Sequence, residues 1–408
     1  MDEDSIEYYF NSIKDFYADN KELLIETNIT KYIRFLKRYS NEYVSNNQEL
    51  SQAAYRLIDS TLFLENSTLI LSHLINLALS TTLDDTHLWI VYGLLYYIGK
   101  EDPRWMNFIV IKASSSSSSH CYMHNPLLSK LLSEMQSFKG GYQCMSLTLQ
   151  FLYEMYKVTK ASQIDLESTL SFQSINFLFQ LVESTTEDSQ EAFNYQFINV
   201  LLVLNEQYMM NTDVENKVLN VLSTRLRTSP IFAQNLIFML NRSSEDECTQ
   251  VLILKLLYGI FTRSDLFDFF YINDLHVLID IILRELDSLD DNKTRLCNSY
   301  LRVLEPLLTN TPLKQQKSFY KKHEIHQVLC SLITPYLHRT VKTSTRKLVK
   351  EILEKWWETI CNKPVAPLLG IHVKHAIIES GINQQQRNHN NAVIMSEPPS
   401  DSEDLKMG

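Results

Sequence analysis

Apolar residues recur every three or four positions along almost the whole chain. In "IRFLKRY", for example, Ile33, Phe35, Leu36 and Tyr39 fall on one side of a helix. The same spacing predicts helices near 5–18, 21–44, 48–60, 64–80, 85–98 and 103–112. It resumes near 126–137, 142–160, 165–184, 190–210 and 213–225, then near 229–240, 245–262, 264–286, 292–309, 322–338 and 342–361. No alternating run bounded by turn residues argues for a sheet. "SSSSSSH", Ser114 to His120, interrupts the pattern with serines 114–119 that cannot pack, and it reads as an exposed loop. About sixteen helices joined by short polar links suit an all-α, armadillo-like helical-repeat solenoid, whose inner helices become apolar nearly all round. No sequence motif repeats at a fixed period, so the repeats are degenerate, and a closed multi-helix bundle is the competing architecture. The expected organisation is one helical domain over 1–361 and a short, disordered polar tail over 362–408.

Composition supports continuous helix. The 408 residues include only 8 glycines and 10 prolines, while 45% are apolar, ample for a core. The tail carries four of the prolines and the stretches "NQQQRNHNN" and "SEPPSDSEDLKMG", a composition that buries too little apolar surface to fold. The net charge of −10 argues against nucleic acid, whose binding needs clustered Lys and Arg. "MDEDSIEYYF" has neither the basic nor the apolar region of a secretory signal, and runs such as "VLLVL" (200–204) are too short to span a bilayer. Membrane insertion is therefore not expected. Six cysteines without CxxC spacing read as reduced thiols in a cytoplasmic protein, which makes the glycosylation sequons at Asn28 and Asn66 chance matches.

Candidate chemistry is sparse. No phosphate cradle, dinucleotide fingerprint, zincin, nucleophile elbow or kinase motif is present, so neither an enzyme nor a cofactor is expected. "HEIH" (323–326) has the wrong spacing for a zincin. "HCYMH" offers His120, Cys121 and His124, one ligand short of a structural zinc site, and no metal is expected there.

Two stretches stand out. In "FNYQFINVLLVLNEQYM", Phe193 to Met209, an apolar run is followed by Asn205, Glu206 and Gln207. These three either cap the helix end or bond a neighbouring loop, or they surface at a groove and meet a partner. In "TRSDLFDFFYINDLHVLIDIILREL" the pattern predicts two helices, with Ser264 and Asn273 as N-caps and Asp265 and Asp274 in the first turns. Leu275, Leu278, Ile279, Ile282 and Leu286 form a core stripe that Val277 and Ile281 widen. His276, Asp280, Arg284 and Asp287 form a polar ridge, either a solvated face with an Asp280–Arg284 pair or a docking surface. Asn205, Glu206, Gln207, Asn273, Asp274, His276, Asp280 and Arg284 are thus the candidate partner-binding residues.

"LLVLNEQYM", "FYINDLHVLIDIILRELDSL" and "YLRVLEPLLTNTPL" occur in this order within 193–313. Together they resemble the helical domain of the WISH/DIP family, the fungal type in particular. The resemblance implies an armadillo-type protein that binds and activates the actin-related protein 2/3 complex without a preformed filament. It would seed linear actin filaments and so act on actin only indirectly. It further implies a cytoplasmic location at cortical, endocytic actin patches, and an SH3 partner reached through the prolines of "PVAP" and "EPPS". The tail has no Trp-ended acidic segment of the kind by which the branching activators grip the same complex, and no basic actin-monomer-binding motif of the LKK type is seen, so delivery of actin monomers is not implied. A general armadillo-type adaptor binding a peptide or cargo protein is the competing function. Against it, tryptophans stand only at 89, 105, 356 and 357, too sparse for the ladder such grooves carry.

Overall fold

A computed structural model describes residues 21–40, 44–81, 83–114, 125–137, 141–185, 191–243, 246–289, 291–315, 319–334 and 342–361. The serine run beyond Ser114, the "HCYMH" cluster and the tail lie outside them. Two compact units divide the chain, Met1–Trp356 and Trp357–Gly408. The architecture below is that of the first.

The described residues are all-α, without a strand. The first helices are α1 (Lys21–Arg38), α2 (Asn47–Asp59), α3 (Thr61–Leu79), α4 (Asp85–Glu101), α5 (Pro103–Ala113), α6 (Pro126–Ser137) and α7 (Gly141–Val158). They are followed by α8 (Phe172–Ser184), α9 (Glu191–Met210), α10 (Lys217–Ser223), α11 (Pro230–Arg242) and α12 (Glu247–Thr262). The last are α13 (Ile272–Ser288), α14 (Thr294–Asn310), α15 (Lys322–Ile333) and α16 (Thr343–Cys361). Helices α4, α7, α9, α12 and α14 pack each on the next and form one layer. A second layer runs α8, α11, α13, α15, again each on the next. In α9, Val200 to Asn205 are all buried, as expected of a helix with neighbours on several sides.

The degenerate repeat becomes visible in this arrangement. A short turn, an outer helix and an inner helix recur: a π turn (Asp165–Thr169) with α8 and α9, then α10 with α11 and α12. A 3-10 turn (Ser264–Leu266) precedes α13 and α14, and another (Pro312–Gln315) precedes α15 and α16. The interval is about 50 residues, close to the length of an armadillo unit. Polar side chains tie each unit to the last. Lys217 Nζ donates to the carbonyls of Leu166, Glu167 and Leu170 at 2.9, 2.9 and 2.7 Å. Glu183 accepts the N–H groups of Ile231 and Phe232 at the start of α11, and Asn310 donates to the Phe261 carbonyl near the end of α12. Helix ends leave backbone groups without intrahelical partners, and here the adjacent repeat supplies them.

Ahead of the repeats, α1, α2, α3 and α5 surround α4. Gly93 lets α2 approach: a Cβ at that position would stand 2.2 Å from Leu50 Cδ2. Helix α3 is long and apolar enough to cross a bilayer by composition, yet Ile70, Leu71, Leu74 and Ile75 are core residues. It kinks at Asn66, whose side chain donates to the Leu62 carbonyl at 3.1 Å. Asn28 and Asn66 are only 5% and 4% exposed, so neither sequon can take a glycan in the folded chain.

The opening of α13 differs from the expectation. Ser264 starts a single 3-10 turn, not an α-helix, and α13 begins at Ile272, with Tyr271 at the cap position and no side-chain cap. Asn273 lies inside the first turn and is exposed. Phe269 and Phe270 end the connection by burying their rings edge to face, 5.0 Å apart, and this apolar anchor fixes where the chain turns into α13. The core stripe is as expected, except that Val277 is 46% exposed while Ile281 and Leu283 are buried.

Candidate functional site

Four inner helices, α7, α9, α12 and α14, line an open groove of about 910 Å³. Its residues follow helical spacing, so each helix presents one stripe. From α9 come Val203, Glu206 and Met210, and from α12 Glu247, Cys248, Val251, Leu252 and Lys255. Helix α14 adds Arg295, Asn298, Ser299 and Arg302, while the end of α7 and the residues after it bring Lys157 and Lys160.

Charge is unevenly placed here. Five cationic side chains line the groove against two carboxylates, in a chain whose net charge is −10. Glu206 Oε1 is held by Lys255 Nζ at 2.5 Å, so that carboxylate is already matched within the floor. Lys157 pairs with Glu154 at 3.1 Å on the groove's flank and lies over the Tyr153 ring. Arg295 and Arg302 are exposed. Burial pushes the Cys248 thiol up, so the groove's one thiol is held as SH at neutral pH. Asn298 connects the wall to the next inner helix: its Oδ1 accepts from Thr345 Oγ1 at 2.8 Å and its Nδ2 donates to Ser344 at 3.2 Å.

The sequence-predicted residues divide between two places. Glu206 faces the groove. Its neighbours Asn205 and Gln207 are fully buried and bond within the stack. Gln207 Nε2 donates to the carbonyls of Tyr156 and Thr159 at 2.9 Å each, and its Oε1 accepts the Ala161 N–H at 2.7 Å. Asn205 Oδ1 accepts from Asn216, the side-chain cap of α10, at 2.9 Å.

Asn273, Asp274, His276, Asp280 and Arg284 sit on outer helix α13, and none of them lines the groove. Asp274 borders a small cavity of about 20 Å³ with Arg227, Ser229 and Phe269. His276 stacks on Tyr320 with centroids 4.0 Å apart. Asp280 accepts from Tyr320 Oη at 3.1 Å and pairs with Lys321 at 3.2 Å, so the expected Asp280–Arg284 pair does not form. Arg284 donates instead to Asn241 Oδ1 at 2.8 Å and to buried Glu285 at 2.8 Å. Lys157, Lys160, Lys255, Arg295 and Arg302 were not singled out from sequence. Each looks like an ordinary solvated position on its own helix, and only the recurrence of basic residues at matching helical positions hints at a shared wall.

Known proteins are informative over the same helices. The "SPIN90/Ldb17, leucine-rich domain" family matches residues 190–325, from α9 into α15. "Protein dip1" of Schizosaccharomyces pombe is 25% identical over 340 residues, covering 77% of this chain and 85% of that protein. These matches support the WISH/DIP resemblance read from the sequence. Two further relatives are named "Protein LDB17". The one from Saccharomyces cerevisiae is 36% identical over 235 residues, 53% of this chain and 46% of its own length. The Eremothecium gossypii protein is 24% identical over 340 residues, 79% of this chain and 73% of its own. A crystal structure of an engineered protein aligns with 71% of this chain and 97% of its own, at TM-score 0.37 and 13% identity, too distant to bear on fold or function. The three motifs read from the sequence lie within the family's segment, and α9, α12 and α14 of the groove lie wholly inside it.

Proposed function

We propose that the chain binds the actin-related protein 2/3 complex through the groove and activates it without a preformed filament, so that linear actin filaments are seeded. One observation carries this reading: the groove is built mainly from helices of the segment that matches the SPIN90/Ldb17 domain. Activation by binding needs no catalytic group. It requires only that the groove hold the complex's active arrangement more tightly than its resting one, and a preference of about 3 kcal/mol shifts that equilibrium roughly a hundredfold. The site of action would be cytoplasmic, at cortical endocytic actin patches.

The test is pyrene-actin assembly with purified complex, with and without the full chain and with no filament seeds. Faster assembly, with unbranched filaments under the microscope, is the expected result. Unchanged assembly at saturating protein, or new filaments that arise only as branches, would refute the reading.

A further inference from the structure

The groove's charges are arranged in an order that specifies a ligand. Lys157 and Lys160 stand at the α7 end, and Arg295 and Arg302 at the α14 end. Between them lie Val203, Val251, Leu252 and Met210 beside the closed Lys255–Glu206 pair, with one further carboxylate, exposed Glu247, at the start of α12. Lys157 is matched by Glu154 on the flank, which leaves Lys160 at the α7 end and Arg295 and Arg302 at the α14 end as the positive charge a ligand would meet, on either side of an apolar strip. Packed helices lie about 8–10 Å apart, and the inner layer is concave, because Tyr153 of α7 reaches Thr249 of α12 at 3.2 Å past α9. The distance from α7 to α14 is then on the order of 20 Å, the reach of about six extended residues, so a nine-residue segment covers it with an end on each basic flank.

We infer that the groove takes a short acidic–apolar–acidic polypeptide segment, with carboxylates at both ends and two to four aliphatic residues between them. The inference rests on the groove being the docking site, and it names the chemistry that the docking partner presents. A polypeptide is favoured over an anionic lipid surface because the basic residues line a groove four helices wide with an apolar floor. A flat headgroup layer could not reach both ends and that floor at once. Guanidinium groups at the α14 end suit bidentate carboxylate contacts, whereas the lysines at the α7 end act as point charges.

The full chain is titrated by fluorescence anisotropy against a labelled nonapeptide with Asp-Glu-Asp at each end of Leu-Ile-Leu. A twin carrying Lys at the six acidic positions is the control. Saturable binding of the acidic peptide, at least tenfold tighter than its twin, is expected. Two double variants, Arg295→Glu with Arg302→Glu and Lys157→Glu with Lys160→Glu, should each weaken binding at least tenfold. Lys112→Glu on α5, outside the groove, should leave it unchanged. Circular dichroism melting accompanies every variant, and the two ends give independent tests should one pair unfold.

No saturable binding, equal binding of the twin, or binding indifferent to both double variants would overturn the inference. So would failure of the peptide to bind while phosphatidylserine vesicles bind in a way the same variants abolish. Failure of the functional reading shows elsewhere, as unchanged actin assembly, and leaves the peptide titration standing.

Discussion

At the scale of single residues, several of the polar groups most visible in the sequence turn out to bond inside the stack. Gln207 satisfies three main-chain groups around the end of α7 with one buried amide. Replacing it with Leu would leave those groups without partners, and unsatisfied buried groups cost about 1–3 kcal/mol each. Gln207→Leu should therefore lower stability by roughly 3 kcal/mol in urea unfolding, while Glu206→Gln, at the groove, should change it far less. Arg284 belongs to the same class, because it is the partner of buried Glu285. Arg284→Glu would set two carboxylates side by side at a half-dry site. Because Arg284 is half exposed, the expected cost is that of one buried acceptor left without its partner, about 1–3 kcal/mol, and Arg284→Gln, which keeps a donor, should cost less. Both are read from thermal melts. A melt of Arg284→Glu that matches the wild type would show that Glu285 finds another partner.

Among the elements, two junctions in the amino-terminal part invite direct tests. Gly93 sits where α4 meets α2, and a Cβ there would lie 2.2 and 2.7 Å from Leu50 Cδ2 and Cγ. Leu50 is fully buried, so its side chain can yield only by displacing its own core neighbours. Gly93→Ala should destabilise by about 1–3 kcal/mol despite the higher helix propensity of alanine. Asp84 caps α4, accepting the His87 N–H at 3.0 Å. The Lys37 ammonium beside Asp84 and that N–H hold its carboxyl well below the usual carboxylate range. A depressed folded-state pKa contributes stability that is fully present above the unfolded pKa of about 4 and is lost as pH falls below it. Asp84→Ala should accordingly cost about 1 kcal/mol at pH 7, and the gap to wild type should narrow as the melts are taken from pH 5 toward pH 2. A gap that stays constant over that range would mean the cap does not depend on the charge.

For the whole molecule, the strongest ties run between neighbouring helices of the stack. Lys255 reaches Glu206 and Lys355 reaches Glu305, each joining one inner helix to the next. Core substitutions should thus propagate through adjacent repeats. Leu304→Ala removes a fully buried side chain from α14, the helix that packs on both α12 and α13, and should cost about 2–5 kcal/mol. Circular dichroism in urea would show it, with the largest loss of hydrogen-exchange protection in α12 to α14. Protection lost equally in α2 would show that the solenoid unfolds as one unit.

Helical class, the near-continuous run of helices and the core stripe of α13 were legible in the sequence, because apolar spacing is a local property that any helix must show to bury one face. The family resemblance was legible too, since the three motifs that carry it lie within the segment that the family model matches. The start of α13 was misread: Asn273 looks like a cap by composition, but the burial of Phe269 and Phe270 settles where the chain turns, and that burial depends on partners far along the sequence. For the same reason Asp280 finds Tyr320 and Lys321, not its helical neighbour Arg284. The repeat itself was invisible at sequence level. Its unit is defined by packing shape and by hydrogen bonds between residues such as Lys217 and Leu166, not by matching letters. What only the tertiary structure decided is the groove. Lys157, Lys255 and Arg302 are each one solvated position on one helix, and stacking α7, α9, α12 and α14 side by side turns those separate positions into a single basic wall.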